Sequence, residues 1–171
     1  MRQSILLALI AIFMLSCKES NTLNKGEFNI SLEIRILNDD RISVYYIEEE
    51  AMEYQEEKSV SLQVNGSPNT QTVMFSLPEL PIRFRIDLGE VGFLEEVVIK
   101  EIRLNYLGKT VHIDQNVLHR FFKENIYAKS TQNGYKRMYV SGRYDPFIES
   151  TALLHQRMNL TFDLYDNRKE R

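Results

Sequence analysis

From Phe28 onward the chain alternates with a period of two. Phe28, Ile30, Leu32, Ile34 and Ile36 are apolar, and Asn29, Ser31, Glu33 and Arg35 between them are polar. Successive side chains of a strand point to opposite faces, so this spacing predicts a strand with one face in a core and the other in water. Asn38-Asp39-Asp40 is a turn cluster, after which Ile42, Val44 and Tyr46 repeat the pattern, and the pair reads as a hairpin. Further strands are expected at 60–64, 73–77, 82–88, 97–106, 109–113, 126–129, 135–141 and 158–164. In the longest of these the apolar phase changes near Lys100-Glu101, which predicts a bulge. Residues 114–124 are the one helix expected, with Asp114 as cap and Val117, Leu118, Phe121 and Phe122 on one face.

Eight to ten short strands with turn signals between them point to an all-β chain: an antiparallel β-sandwich, jelly-roll-like, with one short helix. A closed barrel is the alternative. No internal repeat and no second domain is visible, so 27–166 reads as the sandwich and 167–171 as a charged tail. The acidic stretch 48–57 interrupts the strands. It lacks the alternating Asp/Asn oxygens and the glycine of a calcium loop, so a solvated loop or a single helical turn is expected.

The N-terminal segment has a different pattern. Met1-Arg2-Gln3-Ser4 is short and positive, and residues 5–15 are an unbroken apolar run that ends abruptly at Lys18-Glu19-Ser20. Spanning a bilayer takes about 20 apolar residues, so this run suits an export signal better than a stable membrane helix. Met14-Leu15-Ser16-Cys17 resembles the bacterial lipobox, in which cleavage leaves a cysteine that is then acylated. The resemblance implies a signal peptide at 1–16, lipid (palmitate-type acyl chains) on Cys17 and a polar, flexible tether over 17–26. Two or three acyl chains anchor stably where one does not. Met14 stands where leucine is usual, and an ordinary signal with an incidental cysteine is the alternative. The expected place is the cell envelope, at the outer membrane, facing the periplasm or the surface.

Composition narrows the function. Cys17 is the sole cysteine of 171 residues, which excludes disulfides, cysteine-ligated zinc and thiol catalysis in the domain. Removing 1–16 takes away only Arg2 of 21 basic residues, leaving 20 against 24 acidic, a charge of -4. A mildly acidic domain has no broad attraction for nucleic acid, so DNA or RNA is not an expected partner.

Within 41–113, Val44-Tyr45-Tyr46, residues 71–78 (QTVMFSLP), 82–89 (IRFRIDLG) and 97–104 (VVIKEIRL) resemble a β-sandwich module of envelope proteins of Bacteroidota and other bacteria. That sandwich is similar to carbohydrate-binding jelly rolls, which implies glycan handling. The chain departs from a sugar-binding pattern in having no tryptophan, although nine tyrosines offer other stacking rings.

The candidate ligand-binding residues follow. Tyr45 and Tyr46 are adjacent on a strand and face opposite sides, one to the core and one to a surface where it can stack. Arg83, Arg85 and Asp87 line one polar strand face, either to grip hydroxyls or carboxylates or to form cross-strand ion pairs. His112, Asp114 and His119 invite a metal, but their spacing matches no zinc signature, so neither metal nor cofactor is expected. Ser141-Gly142 lacks the flanks of a nucleophile elbow. The leading expectation is a non-catalytic, lipid-anchored protein binding a glycan or an envelope protein. The alternatives are an enzyme acting on envelope polysaccharide and a structural accessory subunit, which would carry an exposed apolar patch.

Overall fold

The computed structural model describes residues 26–49 and 53–164. The expected export signal, Cys17, the expected tether up to residue 25 and the expected charged tail lie outside them. In chain order the elements are β1 (Phe28–Arg35), β2 (Asp40–Ile47), a 3-10 turn (Glu56–Lys58), β3 (Ser59–Val64), β4 (Gln71–Leu77), β5 (Arg83–Asp87), β6 (Glu96–Tyr106) and β7 (Lys109–Asp114). A second 3-10 turn (Gln115–Val117) leads to α1 (Leu118–Phe121), β8 (Phe122–Glu124), β9 (Ala128–Ser130), β10 (Gly134–Arg137), β11 (Phe147–Ser150) and α2 (Ala152–Thr161).

The strands make a sandwich of two antiparallel sheets. One runs β4-β1-β6-β10-β9, with β7 also paired to β6; the other runs β3-β2-β5-β11-β8. The alternation along each strand does the sorting. Phe28, Ile30, Leu32 and Ile34 from the first sheet meet Ile42, Val44, Phe84 and Ile86 from the second in one core. Burying a side chain of this size contributes about 1.5–3 kcal/mol. In β6 the expected bulge is present: Glu33 pairs with Glu101 but Ile34 with Ile99, leaving Lys100 out of the ladder. That extra residue lets Val97 and Ile99 share a core face with Ile102 and Leu104.

Three expectations are corrected. β1 and β2 are not a hairpin: β1 pairs with β4 and β6, and β2 with β3 and β5. The turn cluster is an arch between sheets, because Ile36 and Asp40 both turn inward. Asp40 is fully buried, its Oδ2 2.7 Å from Nη1 of the buried Arg137, and its Oδ1 accepts from the backbone N–H groups of Arg41, Glu90 and Val91. Arg137 also donates to the carbonyls of Leu88 and Glu95. This clasp ties β2, β10 and the β5–β6 loop together across the two sheets.

Residues 114–124 are not one helix. They are a strand end, a 3-10 turn, a single turn of α1 and then β8, because Phe122 joins the second sheet beside Ser150. Residues 158–164 are not a strand but belong to α2 and its C-terminal turn. Thr151 caps α2 by accepting from Leu154 N–H. Leu154, Met158 and Phe162 then plug the end of the sandwich against Phe28, Phe121 and Tyr106. The structure thus has two short helices where the pattern suggested one.

Candidate functional site

The outer face of the five-stranded sheet carries the polar half of each strand's alternation. Register places Tyr45 opposite Arg85, Arg85 opposite Glu149, and Glu149 opposite Lys123 in one row. The next row places Ser43 opposite Asp87 and Asp87 opposite Phe147. Arg85 sits at the centre. Its guanidinium carbon lies 4.5 Å from the ring centroids of both Tyr45 and Phe147, and 5.4 Å from that of Tyr54. Cation–π contacts of this kind stabilise by about 0.5–2 kcal/mol each, more as water is excluded.

Two further contacts hold the cluster in shape. Tyr54 donates its hydroxyl to Glu149 Oε1 at 2.8 Å, and Arg83 lies 4.0 Å from the same oxygen. Arg85 Nη2 donates to Asp87 Oδ2 at 3.1 Å. Arg85 Nε and Asp87 Oδ1 are 3.0 Å apart but poorly aligned, so both are buried without a hydrogen bond. Burial pushes the Asp87 carboxyl up to about 7, with Asp145 and Glu90 adding to the rise and Arg85 opposing it. The Tyr45 hydroxyl is also raised, by burial first and the Asp87 charge second. Near neutral pH this face therefore holds one arginine between rings and a carboxyl close to its midpoint.

Beside the cluster runs an open groove of about 550 Å³, whose walls include Lys123, Asn125, Tyr127, Asp145, Phe147 and Glu149. Asn125 shapes it: its amide donates to the Asp145 carbonyl at 2.5 Å, while its Oδ1 accepts from the Tyr127 and Phe147 N–H groups. Phe147 and Glu149 are shared by cluster and groove, so the two form one continuous surface. It offers ring faces, amides and both signs of charge, which suits a polar ligand with apolar patches.

The residues singled out from the sequence divide. Tyr45, Arg83, Arg85 and Asp87 come together here; Arg83 reaches Glu149 across strands, whereas Arg85 pairs with Asp87 two residues along its own strand. Tyr46 does not join them: it is buried in the core. His112 lies on the other sheet, where its Nδ1 meets Glu101 at 2.8 Å, and Arg103 bridges Glu101 and Glu33. These partners hold the Glu101 carboxyl below the usual range, Arg103 most strongly. Among the described residues no three His, Cys, Asp or Glu side chains gather as metal ligands.

Tyr54, Phe147, Glu149, Asn125 and Tyr127 carry no comparable signal in the sequence. Tyr54 lies in the acidic segment that reads as plain loop. Phe147 and Glu149 belong to β11, whose four residues are too few to display a period. No protein-family model, no curated protein and no solved structure matches this chain.

Proposed function

We propose that this protein is a non-catalytic, lipid-anchored component of a bacterial cell envelope that binds a glycan on the outer face of its five-stranded sheet. The observation that carries the reading is Arg85 held between the rings of Tyr45 and Phe147 beside the open groove. Sugar rings present axial C–H faces that stack on aromatic side chains and hydroxyls that pair with guanidinium and amide groups. The polar groups here are engaged with each other as positioned binders: Glu149 holds Tyr54, and Asp87 faces Arg85. The anchor rests on the sequence, through Leu15-Ser16-Cys17 and the apolar run before it.

The test is binding of the purified protein across an array of envelope glycans, with Tyr45→Ala and Arg85→Met alongside. Each variant should weaken the best ligand about tenfold, the equivalent of ~1.4 kcal/mol. Absence of binding to any glycan, or variants that bind as well as wild type, overturns the reading.

An envelope protein as partner is the second reading, and a specific observation favours it. Leu37, Val91, Leu94 and Tyr139 are exposed on loops at one end of the sandwich. These loops are neighbours, since Asp40 holds Glu90 and Val91 while Gly92 lies against the Tyr139 hydroxyl. Cross-linking in cells through this end, unaffected by Arg85→Met, would favour the protein partner.

A further inference from the structure

The end of the sandwich where β1 begins carries exposed leucines. Phe28 opens β1, and its ring contacts Tyr106 at 6.5 Å and Phe162 at 6.3 Å. The β6–β7 turn and the C-terminal end of α2 are therefore at the same end, joined also by the Lys109–Asp163 ion pair. The inner face of α2 is the buried row Leu154, Met158 and Phe162. Its outer face, pointing away from the domain, carries Leu153 at 41 % exposure and Leu160 at 68 %, seven residues apart, with Arg157 between them. At 100° per residue, positions seven apart lie almost directly above one another, so the two leucines form a stripe.

Leu107 adds an independent sign. It is half exposed in the two-residue turn between Tyr106 and Lys109, with φ of 48° and Gly108 at 75°. Such hairpin turns need positive φ at both central positions, and asparagine followed by glycine suits them. A leucine there costs roughly 1 kcal/mol relative to residues at ease in that region. Its side chain is also half in water, so local backbone preference does not account for it.

We propose that this end is a membrane-contact surface, with Leu107, Leu153 and Leu160 seated in the headgroup–acyl boundary of the bilayer to which the chain is anchored. The inference rests on the acylated Cys17 of the proposed function. Gly26 comes nine residues after Cys17, and nine steps of ~3.3–3.6 Å reach at most about 30 Å. The tether enters the domain at this end, so the bilayer is within reach of these leucines. The opposite end, with Leu37, Val91 and Leu94, is set a full strand length further away. Interfacial surfaces of this kind bury apolar side chains about 5–10 Å deep.

The chain has no tryptophan, so one substitution creates a clean optical probe. Full-length protein carrying Leu160→Trp, Leu107→Trp or Leu94→Trp would be recovered from bacterial membranes. Each would be reconstituted in vesicles of phosphatidylethanolamine and phosphatidylglycerol with brominated acyl chains. Leu160→Trp sits on a solvent-facing helix side and leaves the fold intact even if Leu107→Trp does not. The expected result is a blue-shifted emission, quenched by bromine, for the tryptophans at 160 and 107, and an unshifted, unquenched one for that at 94. Protein that floats with the vesicles and carries an acylated N-terminal peptide, but leaves all three probes unquenched or all equally quenched, overturns the contact surface and spares the anchor. Protein that lacks the acyl group and does not float overturns both.

Discussion

Replacing Asp40 by alanine removes the carboxylate from a site where both partners of an ion pair are out of water. Arg137 is 1 % exposed and Asp40 0 %. In Asp40→Ala the guanidinium keeps two carbonyl acceptors, at Leu88 and Glu95, but no negative charge. Breaking a buried pair from one side costs about 3–5 kcal/mol, because the remaining charge is stranded. The N–H groups of Arg41, Glu90 and Val91 also lose their acceptor, which adds to the cost. About 4 kcal/mol is a large share of the ~5–15 kcal/mol that holds a domain folded. Arg137→Met should cost less, since Asp40 would still accept from three backbone N–H groups. The double variant strands neither charge and should be milder than the sum of the single ones by about 2 kcal/mol or more. Urea unfolding followed by far-ultraviolet circular dichroism reads this directly. With a slope near 2 kcal/mol per molar, Asp40→Ala moves the midpoint down by about 2 M. Gly89→Ala probes the same clasp, because a Cβ there, at φ 129°, lands on Asp40 Oδ2 and Arg137 Nη1. An Asp40→Ala variant within ~1 kcal/mol of wild type, or single effects that simply add in the double, would refute the reasoning.

Two other outcomes follow from the same structure. Asp87 has its carboxyl pushed up to about 7, above the ~3.9 of an unfolded chain, so the folded state holds a proton the unfolded chain lacks between those values. Its contribution is fully present below pH ~4 and is lost as pH rises through 7, by at most ~1.4 kcal/mol per unit. Asp87→Asn should flatten the decline in melting temperature between pH 5 and pH 8, and a variant that falls as steeply as wild type would sink the assignment. Leu107→Asn should raise stability by roughly 0.5–1 kcal/mol, because asparagine tolerates the positive φ of that turn; a lower urea midpoint would argue against the strain.

The strands whose alternation runs over six or more residues could be read from the sequence, as in β1, β2 and β6, down to the bulge at Lys100. Pairing could not. Asn38-Asp39-Asp40 has the composition of a hairpin turn, and only the distant Arg137 makes it an arch. The region around α2 misleads for a related reason. Leu154, Met158 and Phe162 are four apart, a spacing that satisfies both a strand face and a helix face. Leu160 between them tilts the pattern toward a strand, yet in the structure it is the exposed one. In the candidate site, Tyr45, Arg85 and Asp87 are legible in the sequence because they alternate with core residues. Tyr54 and Glu149 are not, since each acquires its place through the other.

That last contact also sets when the site can exist. Tyr54 and Glu149 are 95 residues apart in the chain, and β11 lies between β5 and β8. Of the ten connections between successive strands, only β2–β3, β6–β7 and β9–β10 stay within a sheet as hairpins. Until residues 147–150 are inserted, β5 presents an open edge, Arg85 lacks one of its rings, and the groove lacks a wall. A chain cut short before β11, or one still folding, can carry Tyr45, Arg85 and Asp87 on β2 and β5 but not Phe147, Glu149 or the groove wall they form. On the proposed function, binding at this face is thereby a readout of the finished molecule, since a truncated or stalled copy lacks the Phe147 ring and the completed groove.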